Sequence, residues 1–507
     1  MWRDENMMLS LGGKPNRIAD VCLIAEGCYP YVAGGVSTWI DWLIRSHPEL
    51  TFTVLAILPG LPKGEPRYAA PDNLLSIDHL RLDDTNFGSV HQWPNAAPDH
   101  VADLLGQLLN EGNAAQFSEL IGLLGDAKHK VALDTLMDSP EAWQTMCRHY
   151  RSMPHAAFLD YFWAWRALVG GLFRVLTAPL PQARVYHAVS TGYAGLIGAR
   201  AALETGRASL ITEHGIYSNE RRIEILMADW IVNSIDNDLD LSDDRKDIRE
   251  LWARSFESFA HVAYSVATEI VALYEANQTF QYALGAAPEK LSVIPNGVDV
   301  DRFGQVERQP HNRPTIAFIG RVTPIKDVQT FIDVAERLRV QFPDLDALVI
   351  GPMDEDPEYA EGCVDEVRRR GLSDTVTFTG PVKVADYLGR IDVLVLTSIS
   401  EALPLVILEA GGAGVPCVAT DVGACREILE GRSNMPGVTG PGGVVAPVGA
   451  SEDIAAAIAS LLESPERLRE YGDRLQQRVR EQYRAEAVAA AYGALYARNF
   501  AAQMKVA

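Results

Sequence analysis

Short apolar runs of strand length alternate with longer amphipathic runs of helix length in two separate stretches of the chain, the pattern of parallel sheets covered by helices on both faces. The first stretch predicts strands at 18–25, 51–58, 184–189 and 209–212, with a helix from about Ser37. The second follows the polar, proline-bearing string ERQPHNRP and predicts strands at 315–319, 347–350, 376–378, 392–396 and 417–419. The fold class expected is α/β with two Rossmann-like units. Residues 59–181 interrupt the first unit with helix-like stretches such as 101–110 and 156–176, too long for a plain connection, and read as a largely helical insertion. The expected domains are 1–285, with that insertion, and 286–485. Residues 451–502 are alanine-rich and helical in pattern, and the end of the chain, 486–507, is expected as a helix crossing back to the first domain.

Composition adds limits. A chain of 507 residues with 48% hydrophobic content exceeds what one core usually supports, since single cores stop growing near about 300 residues. The net charge of −22 repels nucleic-acid phosphates and anionic lipid headgroups, so broad binding to either is excluded and any phosphate site must be local. Six scattered cysteines without a CxxC pair read as reduced, buried thiols. The string MWRDENMMLSLGGKPNR lacks the order of a signal peptide, and no apolar run approaches twenty residues. The expected compartment is the cytoplasm, without direct membrane insertion.

Candidate chemistry concentrates at strand ends. Pro404 suits the first turn of a helix continued by Leu405 and Val406, whose N–H groups would be free there. Such a helix start, at the carboxyl end of parallel strands, accepts an anion. Glu401 precedes it, beside whatever hangs from the anion, and Glu409 lies about one turn further in, where a carboxylate can accept both hydroxyls of a diol. Either glutamate alone would read as an ordinary loop or helix-face acid. The surrounding ensemble changes that. Arg321 and Lys326, in the loop after the first strand of the second unit, can converge on a diphosphate and stabilise charge on a departing group, although bases near a helix start are also ordinary surface residues. Gly34-Gly35 opens a helix after the first strand and lets backbone approach a ligand, or is simply a tight turn. His214, just past another strand end, can bond sugar hydroxyls or be structural, and Glu213, Tyr217 and Arg221 are neighbouring candidates. The Pro295-Asn296-Gly297-Val298-Asp299 string reads as a structural turn. The acid pairs Asp299/Asp301, Asp236/Asp238 and Asp354-Glu355-Asp356 read as turn and surface acids, so no metal site is expected.

In combination, the Gly34-Gly35 loop, that turn, Gly320-Arg321 with Lys326, and Glu401-x7-Glu409 resemble glycosyltransferase family 4. The strings AEGCYPYVAGGVSTWIDWLI and TEHGIYSNERRIEI are similar more particularly to the PelF branch, the cytosolic glycosyltransferases of Pel exopolysaccharide synthesis. The resemblance implies a GT-B fold of two facing Rossmann-like domains with an interdomain cleft and a retaining, metal-independent transfer. It also implies a UDP-sugar donor, no further cofactor, and a polysaccharide acceptor. By motif match, Glu409 would hold the ribose, Arg321 and Lys326 the diphosphate, and Glu401 the transferred sugar, with Ala402, Leu403, Pro404, Leu405 and Val406 lining the donor site. Ala402 and Leu403 depart from the glycine and aromatic that many relatives carry there. Inner-membrane subunits of a Pel-type synthase are the protein partners implied. A nucleotide-sugar epimerase of the same fold and a non-catalytic nucleotide-sugar-binding subunit are the alternatives, and a nicotinamide oxidoreductase ranks below them because no Gly-x-Gly-x-x-Gly follows the first strand.

Overall fold

The computed structural model describes residues 17–32, 34–62, 64–83, 98–124, 133–151, 153, 156–216, 248–309, 311–432, 437 and 439–504. Two compact units emerge. One comprises Met1–Ala272, Gln278–Val293 and Tyr492–Ala507, the other Leu273–Asn277 and Ile294–Ala491.

The first unit is a seven-stranded parallel sheet: β1 (Ala19–Glu26), β2 (Phe52–Leu58), β3 (Leu74–Arg81), β4 (Ala183–Ala188), β5 (Ala208–Glu213), β6 (Glu269–Ala272) and β7 (Leu291–Val293), in the order β3-β2-β1-β4-β5-β6-β7. Strand order reverses between β1 and β4, which is where such sheets open a crevice at their carboxyl ends. Each of β1, β2, β4 and β5 falls within a residue or so of its predicted span. Two features correct the sequence expectation. The stretch 59–181 is not wholly an insertion, because β3 lies within it and pairs with β2 along its length. Its helical part begins at the helix Pro98–Glu111 and continues through Ala114–Leu124, Pro140–Tyr150 and Phe158–Thr177. In addition, β7 carries the first sheet past residue 285, to Val293.

The second unit holds six parallel strands: β8 (Thr315–Ile319), β9 (Asp346–Ile350), β10 (Val376–Gly380), β11 (Val393–Leu396), β12 (Cys417–Thr420) and β13 (Gly443–Ala446), in the order β10-β9-β8-β11-β12-β13. Side chains alternate across this sheet as the strand period requires. Ala317, Leu348, Leu394, Leu396, Cys417 and Ala419 pack into one core, while Ile316, Phe318, Val349, Val393, Val395 and Val418 pack into the other. Burial on both faces explains why these strands read as unbroken apolar runs. The switch point falls between β8 and β11.

The final helix, Ala485–Met504, belongs to the second unit up to Ala491 and clusters with the first from Tyr492. Tyr496 contacts His187 Nδ1 through its hydroxyl at 2.8 Å, and Tyr492 reaches Thr212 at 3.3 Å, both inside the first unit.

Candidate donor site at the second switch point

The loops leaving β8 and β11 are laced together. Thr397 Oγ1 donates to the Lys326 carbonyl at 3.0 Å, and the Ile399 amide donates to the Ile325 carbonyl at 2.8 Å. Lys326 ends a single 3-10 turn, Pro324–Lys326, stopped by Asp327 in the left-handed region at φ 49°. Asp327 tolerates that backbone because its carboxylate caps the helix Val328–Gln341, accepting from the Thr330 amide at 3.1 Å. The result aims Lys326 Nζ at Glu401 Oε1, 2.5 Å away, and Ser398 Oγ donates to the same oxygen at 2.6 Å. Both side chains of the pair are largely buried.

Beyond Glu401 the chain turns into the helix Leu405–Gly412. Pro404 is its N-cap rather than a residue of its first turn, and the first intrahelical bond runs from the Ile407 amide to the Pro404 carbonyl at 3.1 Å. The amides of Leu405 and Val406 precede that bond and remain donors for an anion. Glu409 follows on this helix; its carbonyl accepts from the Ala413 amide at 3.2 Å, while its carboxylate makes no hydrogen bond or ion pair among the described residues. Burial raises its carboxyl to about 6, against the pull of the Arg302 guanidinium. A half-buried acceptor left open in this way suits a diol.

Arg321 lies on the same edge, but its Nη1 is held by both carboxylate oxygens of Glu355 at 2.5 Å. Thus Lys326 and Glu401 meet directly, Leu405 and Val406 open the neighbouring helix, and Arg321 is paired with an acid from the loop after β9. Leu403 is buried, and the Ala402 carbonyl accepts from the Ala424 amide at 2.7 Å. Two glycines of this region escaped sequence reasoning, and one acid was read only as a surface residue. Gly423 has φ +52°, and a Cβ there would meet the Ala402 and Glu401 carbonyl oxygens at 2.2 and 2.3 Å. Gly351 has φ +149°, and its Cβ would come within 1.9 Å of the Gly320 carbonyl oxygen. Glu355 is that acid, and its contact with Arg321 is what the sequence did not show. Each glycine stands just beyond a strand end, and that position was the only signal available.

In the first unit, Gly34 is extended at φ 172°, which any residue adopts, and a Cβ at Gly34 or Gly35 would meet nothing within 4 Å. Neither glycine is demanded by the described backbone; what their lack of side chains leaves is open space at the start of the helix Gly35–Arg45. His214 packs edge-on against Trp39, ring centroids 4.5 Å apart, and burial lowers its imidazole to about 3. It is therefore neutral at physiological pH, able to bond a hydroxyl but not to act there as a cationic acid. Its Nε2 and the Trp39 Nε1 are buried without partners among the described residues. Glu213 is buried and accepts from Thr191, Tyr264 and Gln281, a structural environment rather than an open contact. Tyr217, Arg221, Asp236 and Asp238 lie outside the described residues. Asp299 and Asp356 cap the helices Val300–Gly304 and Pro357–Arg369, and Asp301 pairs with Arg484 at 2.9 Å.

Residues 19–289, just over half of the chain, match the family model described as a domain of unknown function (DUF3492). The chain belongs to the DUF3492 family. This DUF3492 protein also matches the glycosyl transferases group 1 model over residues 313–464, so the switch-point site lies within a group 1 glycosyltransferase domain. The family member is 31% identical over 226 residues to the D-inositol 3-phosphate glycosyltransferase 2 of Catenulispora acidiphila, covering 41% of this chain and 48% of that protein. It is 27% identical over 293 residues to the MMP alpha-(1->4)-mannosyltransferase of Mycolicibacterium hassiacum, covering 57% and 65%. The chain spans about half the length of the first of these relatives. Among solved structures it resembles the sucrose-phosphate synthase of Thermosynechococcus elongatus, with TM-score 0.59, 16% identity, and coverage of 95% of this chain and 100% of that one. It also resembles Anabaena Alr3699/HepE in complex with UDP, with TM-score 0.56, 15% identity, and coverage of 94% and 99%. Two parallel-sheet α/β domains of GT-B type are the fold shared with both. No helix among the described residues is long and apolar enough to cross a membrane.

Proposed function

We propose that this DUF3492 protein is a retaining glycosyltransferase that moves a hexose or N-acetylhexosamine from a UDP-sugar to a growing exopolysaccharide of the Pel kind, in the cytoplasm, with inner-membrane synthase subunits as partners. The observation that carries the donor half of this reading is the Lys326–Glu401 pair at a switch point, beside a helix whose Glu409 carboxylate is left open. The HepE complexes with UDP and with UDP-glucose support the choice of nucleotide. The two strings resembling the PelF branch support the acceptor.

In this reading the ribose hydroxyls donate to Glu409 and the diphosphate rests on the Leu405 and Val406 amides, Arg321 and Lys326. The bond from the anomeric carbon to the phosphate oxygen breaks while the acceptor oxygen bonds to that carbon on the same face, and the acceptor's proton passes to the departing phosphate. Lys326 and Arg321 stabilise the charge that builds there, the role in which preorganised groups contribute most to rate. Glu401 anchors Lys326 and contacts the sugar. Incubating the full chain with UDP-glucose or UDP-N-acetylglucosamine and a soluble saccharide should give a glycoside whose anomeric configuration matches the donor by NMR. Glu401→Ala should reduce that transfer by about 100-fold or more. A free epimerised sugar, an inverted product, or an undiminished Glu401→Ala enzyme would each contradict the proposal.

A further inference from the structure

The contact between Arg321 and Glu355 places an acid on one edge of a cation that the proposed reaction needs. The loop after β8 is fixed to the loop after β9: the Gly320 amide donates to the Ile350 carbonyl at 2.9 Å, and the Val322 amide to the Pro352 carbonyl at 3.0 Å. The tight packing of Gly351 on Gly320 leaves no slack between them. These bonds set the Glu355 loop beside the Arg321 loop, within reach of the side-chain contact. Both Glu355 oxygens take Nη1, while Nη2 and Nε make no hydrogen bond among the described residues and can still donate to a phosphate. The two side chains are 52% and 50% exposed, so a ligand can reach them.

We propose that Glu355 is a specificity determinant that disfavours the free nucleoside diphosphate relative to the nucleoside diphosphate sugar at the Arg321 position. The inference rests on the donor reading above. A sugar ester carries one charge on each phosphate. Once the sugar has left, the terminal phosphate has a second ionisation near about 6, so the product carries nearly one more negative charge at pH 8. Repulsion from a fixed carboxylate scales with the charge of the ligand, so the product is repelled more than the donor. Glu355 acts on the phosphate charge at the Arg321 position and not on the sugar. The charged groups around the contact are Arg321 itself, the flanking Asp354 and Asp356, Glu358 at the start of the next helix, and the Lys326–Glu401 pair; the Asp356 carboxylate is engaged as a helix cap.

The test is calorimetric titration of the full chain with UDP, UDP-glucose and UDP-N-acetylglucosamine at pH 8 and pH 5.5, for the wild type, Glu355→Gln and Glu361→Gln. At pH 8, Glu355→Gln should tighten UDP relative to the UDP-sugar by about 1.5- to 5-fold, the scale of one exposed charge contact. At pH 5.5 the terminal phosphate is mostly singly charged and that gain should shrink to less than half, while the titration of Glu409 affects both ligands alike. Glu361→Gln, an exposed acid on the helix Pro357–Arg369, should leave the ratio unchanged. An unchanged ratio in Glu355→Gln at pH 8, an equal gain at pH 5.5, or the same gain in Glu361→Gln overturns this inference alone. Absence of UDP binding by the wild type overturns it together with the proposed function.

Discussion

At the scale of single residues, Glu409 is held in a state that folding alone does not favour. Its carboxyl is raised from 4.5 to about 6 by burial, so the protonated form is the one the fold prefers. The stability attached to that preference is fully present below pH 4.5 and is lost as pH rises through about 6. Glu409→Gln should therefore raise the melting temperature at pH 8, by an amount equivalent to at most about 2 kcal/mol, and change it little at pH 4.5. The same substitution should weaken UDP binding by about tenfold or more, because the amide is uncharged and replaces one of the two acceptor oxygens with a donor. Wild-type affinity for UDP should likewise decline on acidification through about pH 6. A stabilised variant with undiminished affinity would show that the carboxylate does not meet the ribose. Glu401 and Glu409 were legible in the sequence because spacing along one turn and helix puts them on either side of an anion position. Glu355 was not, because its contact with Arg321 exists only once β8 and β9 lie side by side.

At the scale of elements, the donor-site loops depend on glycines that fill no role in any helix or strand. Gly423 combines a positive φ with backbone oxygens where a side chain would stand, so Gly423→Ala should cost about 1–3 kcal/mol and displace the Glu401–Ala402 turn. Gly34 has an extended φ and open space, so Gly34→Ala should leave the melting temperature unchanged. If it nevertheless lowers transfer, the space itself is used by a ligand; loss of stability in Gly34→Ala would contradict the geometry. The strands buried on both faces were readable as apolar runs. β3 was hidden because Ser76, Asp78 and His79 interrupt its apolar pattern at the edge of the sheet, β7 is only three residues long, and β13 is four residues beginning with a glycine.

At the scale of the molecule, the two units answer acid in opposite ways. Burial lowers both His187 and His214 to about 3 in the first unit, so their contribution is present above pH 6.5 and lost as pH falls toward 3, while Glu409 gains in the second. Hydrogen exchange at pH 5 should therefore show protection falling in β4 and β5 relative to pH 7.5, with β11 and β12 less affected; the reverse order would contradict the burial of the histidines. The overall charge of −22 makes this chain a poor general anion binder, and under the proposed function the cations of the second switch point give it a local exception. The most direct test of that exception is isothermal titration of the wild-type chain at pH 7.5 with UDP-, GDP- and ADP-sugars. The account predicts one site per chain for a UDP-sugar, weakened at least about tenfold by Lys326→Ala. No saturable binding of any nucleotide sugar, or binding indifferent to Lys326→Ala, would contradict it.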